Sequence, residues 1–315
     1  MKVLVTGGTG YLGQAVVKAL HAAHHDIVLY GRTARSSGLP GTAVDGDVRH
    51  GAGLLAAASG CEAILHSAAL VATWTPHSRD FDDVNVGGLM HVLDAARRLG
   101  IARVLYTSSF LALPPAGMDA SPRWNDYQRT KAAADTLAES AVARGAPLVR
   151  LYPGVIYGPG EATGGNIVGR MVADHLHGRL PGLIGASRIW SFSYVEDVAA
   201  AHEAALRVGV PGRRYLLGGE DAPQMRVFDI VQAITGRRRP RRIPDWVASP
   251  AAFLDELKAS WFGFTPLLTT GTLEILMRDW PLGHALAADE LDYRVTPLEE
   301  GVVRMVRAIQ AAPSS

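Results

Sequence analysis

The chain has 315 residues, 48% apolar and 19% charged, with 31 basic side chains against 30 acidic ones, a net charge near +1. That length holds one large α/β domain or a domain with an added lobe, and the composition excludes a disordered chain. The balanced charge gives no global reason to expect nucleic acid or an acidic membrane as partner, and the single cysteine, Cys61, excludes an intramolecular disulfide and suits a reducing compartment.

The N-terminal "MKVLV" runs straight into glycines, with no apolar secretory core. No segment approaches the roughly 20 apolar residues that span a bilayer. The expected setting is the cytoplasm. Lys2–Thr6 (KVLVT) reads as a strand, followed by a tight glycine turn and the amphipathic helix YLGQAVVKAL. Gly8, Gly10 and Gly13 fit G-x-G-x-x-G, and Gly7, Gly10 and Gly13 fit G-x-x-G-x-x-G. Such glycines let the backbone turn sharply, let a pyrophosphate approach the main chain and let the helix pack close to the strand. The first helical N–H groups then face the phosphates, and the helix dipole favours their charge. Strand before and helix after is the context this motif needs.

The second strand, Asp26–Tyr30, ends in "VLYGRTARSS". An acidic residue there would bind the ribose 2′-OH of NAD, whereas arginine would pair with the 2′-phosphate of NADP. The stretch has no carboxylate but has Arg32 and Arg35, with Gly31 leaving room, so NADP(H) is the expected cofactor and NAD(H) the alternative. Further strands follow at Ala63–Ser67, Arg103–Ser108 and Pro147–Tyr152, with helical patterns between several of them. This alternation predicts an α/β fold, a doubly wound Rossmann-type parallel sheet. On the helix from Asp80 to Gly100, Phe81, Asn85, Leu89, Val92 and Ala96 trace one face. A buried amide at Asn85 must be hydrogen-bonded, structurally to backbone or within the catalytic machinery.

"YQRTK" sets Tyr127 four residues before Lys131, one of only four lysines, on a helix where such positions share a side. A lysine charge beside a tyrosine hydroxyl favours the phenolate and lowers a pKa normally about 10. After Tyr157 the pattern loosens into Gly/Pro loops, the helix YVEDVAAAHEAAL, a strand RRYLLGG and an aromatic tail with Trp246, Phe253, Trp261, Phe262, Phe264 and Trp280. The predicted organisation is a dinucleotide-binding domain over 1–156, with 189–219 returning to it, and a smaller C-terminal substrate lobe from 157–188 and 220–315. "GRRRPRR" (Gly236–Arg242) reads as a solvated, proline-interrupted loop, with phosphate or partner binding as the alternative. The tail aromatics read mainly as core, some lining an apolar pocket. His21, His24, His25, His175 and His177 lack acidic or cysteine companions at ligand spacing, so no metal site is expected.

Together these segments resemble the extended short-chain dehydrogenases/reductases of the NAD-dependent epimerase/dehydratase group, in their dihydroflavonol-reductase-like branch. The resemblance rests on "TGGTGYLG", "VDGDVRH", "ILHSAA", "FDDVNVGGLMHVLDAA", "VLYTSS", "YQRTKAAAD", "RLYPGVIYGPG", "FSYVEDVAAAH" and "ADELDYRVTPLEEGV", nearly the whole chain. It implies a catalytic Ser109, Tyr127 and Lys131, with Ser108 as an adjacent alternative to Ser109. For the cofactor it implies the turn residues Gly7, Thr9, Gly10, Tyr11, Leu12 and Gly13, and Arg32 at the second strand end. Asp47 and Val48 would contact adenine, and Ala68 and Ala69 would pass beneath the cofactor. Thr107, Tyr127 and Lys131 would lie on it, and Tyr152, Pro153, Val155 and Ile156 would border the nicotinamide. Two departures stand out: a short segment between Ser109 and Tyr127, and "LDY" at Leu291–Tyr293 in place of Leu-Gly-Tyr.

The expectation is therefore an NADP(H)-dependent enzyme that reduces a ketone or aldehyde, or oxidises a secondary alcohol, of a mid-sized, partly apolar substrate. The alternatives are a nucleotide-sugar epimerase or dehydratase with tightly held NAD, and a non-catalytic dinucleotide-sensing scaffold. The partner is a small molecule, neither nucleic acid nor membrane, and a homodimer is implied only by the resemblance.

Overall fold

The computed structural model describes residues 1–161, 163–262, 266 and 268–311. Its first half alternates strand and helix: β1 (Lys2–Thr6), α1 (Tyr11–Ala22), β2 (Asp26–Gly31), β3 (Thr42–Asp45), α2 (Gly51–Ala58) and β4 (Ala63–His66). The short α3 (Arg79–Phe81) then runs through a π-helical stretch, Asp82–Gly87, into α4 (Gly88–Leu99). β5 (Arg103–Thr107), a 3-10 turn at Phe110–Ala112, α5 (Asp126–Ala143) and β6 (Leu148–Pro153) follow. The remainder comprises β7 (Val155–Tyr157), α6 (Ile167–Leu176), β8 (Ile189–Tyr194), α7 (Val195–Val208), β9 (Arg214–Leu217), β10 (Glu220–Pro223), α8 (Gln224–Thr235), α9 (Asp245–Phe262), α10 (Thr270–Leu276), α11 (Ala285–Leu291) and α12 (Leu298–Ala311).

Seven parallel strands form one sheet in the order β3-β2-β1-β4-β5-β6-β9. Successive side chains alternate between its faces. Val3, Val5, Leu29, Leu65, Leu105 and Leu151 therefore pack toward α1, α7 and α11, whereas Leu4, Val28, Ile64, Val104 and Leu148 pack toward α2, α4 and α5. Strands buried on both faces need continuous apolar runs, which is why β1 and β4 were legible as "VLV" and "AIL". The order reverses between β1 and β4. Ligands of doubly wound sheets bind at such a switch point, outside the carboxyl ends of the strands.

Of the 189–219 stretch, β9 joins this sheet beside β6, while β8 belongs to a second, three-stranded sheet, β10-β8-β7. That sheet shares an apolar cluster with α6, α8 and α12, centred on Tyr157, Phe192, Val231 and Leu298. β3, β7, β8 and β10 went unread in the sequence for a physical reason. β3 is a half-exposed edge, β7 has three residues, and β10 is "EDAP", so none carries a long apolar run. β8, "IWSFSY", is nearly all buried but alternates apolar residues with hydroxyls.

Candidate active site

The turn from β1 to α1 is built around glycines that cannot carry a side chain. Gly7 has φ +77°, and a Cβ there would lie 2.4 Å from the Ala68 nitrogen. One on Gly13 would lie 2.0 Å from the Gly7 carbonyl oxygen. The turn is thus clamped against the end of β4, with Ala68 directly behind Gly7. Gly10 caps α1 without a side-chain hydrogen bond, and the first turn of the helix has no acidic residue. Open N-terminal amides on a glycine cradle suit a pyrophosphate. Tyr11 packs against Gly160, and its buried hydroxyl has no hydrogen-bond partner among the described residues. Leu12 fills the core beneath the turn.

At the end of β2, Gly31 leaves space up to the Thr9 hydroxyl, 4.0 Å from where its Cβ would stand. Parallel pairing sets Gly31 opposite Asp45 of β3. A carboxylate therefore does reach this corner, brought by tertiary pairing from a neighbouring strand. It is engaged by Arg35, whose backbone N–H donates to it at 3.0 Å and whose guanidinium lies 4.0 Å away. Arg32 is exposed and, among the described residues, has no ion-pair partner. The Asp47 carboxylate accepts from the Arg49 guanidinium at 2.7 Å, which holds its pKa below the usual range. Its carbonyl accepts from Tyr30, and the Val48 carbonyl meets the His91 ring.

The catalytic candidates converge beside this turn. Asn125 caps α5 by accepting the Gln128 N–H at 2.8 Å, which seats Tyr127 in the first helical turn and Lys131 one turn later. Ser109 lies at the end of β5, and its hydroxyl is close enough to the Tyr127 phenol to favour ionisation of it. The adjacent Ser108 hydroxyl is buried beside the Tyr106 phenol. The Lys131 ammonium donates to the Thr107 carbonyl at 3.2 Å and sits 5.5 Å from the Tyr106 ring centre and 5.9 Å from that of Tyr127.

One expectation is corrected here. Burial pushes the Tyr127 phenol up to about 12 against the pull of the Ser109 hydroxyl, so it lies above its ordinary value instead of below it. The lysine is directed at a carbonyl and at ring faces, away from bonding the hydroxyl, and burial lowers its own pKa to about 8. Tyr127 is thus a protonated acid at neutral pH. Tyr152 also departs from its expected place: it is fully buried, its hydroxyl bonded to Asp135 and its ring 5.1 Å from the Arg214 guanidinium. Pro153 ends β6, Val155 and Ile156 begin β7, and Gly154 alone separates the two strands, so this segment is strand rather than loop. Ala69 and Thr107 flank the same crevice from the ends of β4 and β5.

Asp135 and Trp124 went unread in the sequence, whereas Asn85 and Trp280 were singled out there. Asp135, one turn beyond Lys131 on α5, supports the lysine's charge, and "YQRTKAAAD" held this signal as a third residue at the same spacing. Asn85 accepts the Leu70 N–H at 2.7 Å and donates to Thr130 at 3.0 Å, joining the π-helical stretch, the loop after β4 and α5. Its bonds are structural. Tyr127 shares an apolar cluster with Phe110, Trp124 and Trp280, and Trp280 lies 5.3 Å from Phe110 and 6.4 Å from Trp124 between ring centres. Beside Trp124 opens a cavity of about 240 Å³ lined by Ser249, Thr270, Gly271, Leu273 and Glu274. Trp280 is core, as the tail aromatics were expected to be, but Trp246 and Phe253 are exposed. Phe264 and the side chains of Trp261 and Phe262 lie outside the described residues.

A glycine cradle at the switch point of a parallel sheet, with serine, tyrosine and lysine at its mouth, defines a dinucleotide-dependent oxidoreductase. Residues 3–218 match the NAD-dependent epimerase/dehydratase family, and the chain belongs to it. It is 32% identical to sterol demethylase protein B of Methylococcus capsulatus, across 83% of this chain and 84% of that one. It is 30% identical to 2-alkyl-3-oxoalkanoate reductase of Stenotrophomonas maltophilia, across 76% and 77%. Relatives named as a dihydroflavonol reductase and as hydroxysteroid dehydrogenases also match. The crystal structure of gox2253 superposes with a TM-score of 0.82 at 26% identity, covering 98% of this chain and 97% of that one.

Proposed function

We propose that the protein is an NADP(H)-dependent oxidoreductase that interconverts a ketone and a secondary alcohol on a mid-sized, apolar skeleton. The observation that carries this reading is the placement of the Tyr127 ring 5.9 Å from the Lys131 ammonium, with the Ser109 hydroxyl close to its phenol and Phe110, Trp124 and Trp280 in the same apolar cluster. When bound, the dinucleotide supplies the hydride. Gly7, Thr9, Gly10, Tyr11, Leu12 and Gly13 would hold its pyrophosphate, and Arg32 its 2′-phosphate. Ser109 donates to the carbonyl oxygen and orients it, and Tyr127 delivers its proton to that oxygen. Lys131, positive below about pH 8, favours charge on both the oxygen and the phenolate left behind. An apolar, aromatic cluster that includes Tyr127 suits a fused-ring or long-chain ketone better than a sugar nucleotide, and the names of the sterol and oxoalkanoate relatives point the same way.

The test is NADPH oxidation against steroid 3-ketones, 2-alkyl-3-oxoalkanoates and UDP-sugars. We expect turnover of a ketone, with Tyr127→Phe lowering kcat by about 10²–10⁴ while NADPH binding is retained. Copurified NAD with UDP-sugar interconversion and no NADPH turnover would overturn the reading in favour of an epimerase. Undiminished ketone reduction by Tyr127→Phe would remove the catalytic assignment.

A further inference from the structure

Helix α9 is mounted the wrong way round for an ordinary surface helix. Its small residues Ala248 and Ala252 face the protein, packed with Leu273, Ile184 and Ile243. Among its described side chains the large apolar ones face solvent: Trp246 is 78% exposed, Phe253 61%, Leu254 51% and Val247 41%. With the exposed Pro250 these occupy positions i, i+1, i+4, i+7 and i+8, one continuous stripe. Scattered exposed apolar side chains need no explanation, but a contiguous stripe with two aromatics marks an interaction surface.

The segment leading into α9 supplies charge. Arg237, Arg238, Arg241 and Arg242 are exposed and, among the described residues, make no ion pair, while Arg239 is paired with Asp229 at 3.1 Å. The segment is pinned beside Leu183, whose N–H donates to the Arg241 carbonyl at 2.8 Å and whose carbonyl accepts from Ile243 at 3.0 Å. Ile243 joins the same small apolar cluster that seats α9, so the arginines and the stripe adjoin. We propose that α9 and the Arg237–Arg242 segment form a docking surface for an anionic lipid bilayer. Apolar side chains enter the headgroup boundary while arginines pair with phosphates, as in interfacial helices that lie on a membrane without crossing it. No helix among the described residues is long and apolar enough to cross one. A nucleic-acid site fits less well, because only Trp246 and Phe253 offer aromatic faces for stacking and the rest of the stripe, Val247, Pro250 and Leu254, is aliphatic. Ser249 of α9 also lines the cavity beside Trp124, so a docked molecule would present that cavity close to the lipid; this corollary rests on the catalytic reading, whereas docking does not.

Flotation of the full chain with vesicles of phosphatidylcholine, alone or mixed with phosphatidylglycerol, tests the proposal. Binding is expected to the mixed vesicles only, and weaker at about 1 M salt, where charges are screened within about 3 Å. Arg241→Glu with Arg242→Glu should weaken it at least about 25-fold, roughly fivefold for each arginine removed. Trp246→Ser with Phe253→Ser should abolish it, leaving thermal unfolding and NADPH-dependent reduction of a water-soluble ketone unchanged. Absence of vesicle binding, or binding that survives the Trp246/Phe253 pair, overturns the proposal. So does sedimentation showing that this pair merely dissociates a dimer, or an oligonucleotide that competes with the vesicles. An absence of ketone turnover in every variant would count against the catalytic reading and leave docking intact.

Discussion

Lys131 is 4% exposed and touches a carbonyl, two aromatic rings and the field of Asp135. Burial disfavours its charged form and Asp135 favours it, with a pKa of about 8 as the outcome. The lysine is positive below that value and neutral above it. We therefore expect kcat/KM for ketone reduction to fall as pH rises through about 8. Asp135→Asn should move that break to lower pH. Tyr152→Phe removes the hydroxyl bound to Asp135 while keeping the carboxylate, and should shift the break far less. A pH–rate profile whose break stays put in Asp135→Asn would show that the carboxylate is structural.

At the scale of elements, the glycine turn and the π-helical stretch each join parts that the sequence separates widely. Gly13 has no room for a methyl group against the Gly7 carbonyl, so Gly13→Ala forces the turn open. We expect a loss of about 1–3 kcal/mol in stability and of the rise in Tm that NADPH otherwise causes, both read in one thermal-shift experiment. An unchanged NADPH-dependent shift would mean that the turn does not hold the dinucleotide. The π-helical stretch carries Asn85, which binds the loop after β4 to α5 and so fixes the helix that bears Tyr127 and Lys131. The apolar face around Asn85 was readable from spacing, because a helix turns by a fixed angle per residue. Its partners Leu70 and Thr130 were not, since only packing brings a loop and a second helix to that amide.

Two fully buried histidines bear on the whole molecule. His66 meets the Thr6 hydroxyl at 2.7 Å and His202 the Thr107 hydroxyl at 2.9 Å. Burial holds their pKa values down at about 3 and about 4. The unfolded chain, with histidine pKa near 6.5, takes up protons that the folded chain refuses. Their contribution to stability is complete above about pH 6.5 and is lost as pH falls toward 4 and then 3. At about 1.4 kcal/mol per pH unit for each group, going from pH 7 to pH 5 should cost about 4 kcal/mol, visible as a lower urea midpoint. His202→Gln should roughly halve the drop. A midpoint that does not move in the wild type would place both histidines in the charged form.

The sequence by itself determined the parallel sheet, the glycine turn and the Tyr127–Lys131 pair, because each is written locally. Double burial demands apolar runs, a tight turn demands glycine, and a helix sets residues four apart on one side. Tertiary structure alone decided what depends on neighbours distant in the chain. It brought Asp45 alongside Gly31, set the Ser109 hydroxyl close to the Tyr127 phenol, and lifted that phenol by burial where sequence reasoning expected a lowered value. It also turned Trp246 and Phe253 of α9 outward. Composition counts a tryptophan as core, but exposure is set by which helix face the rest of the fold covers, and here the fold covers Ala248 and Ala252.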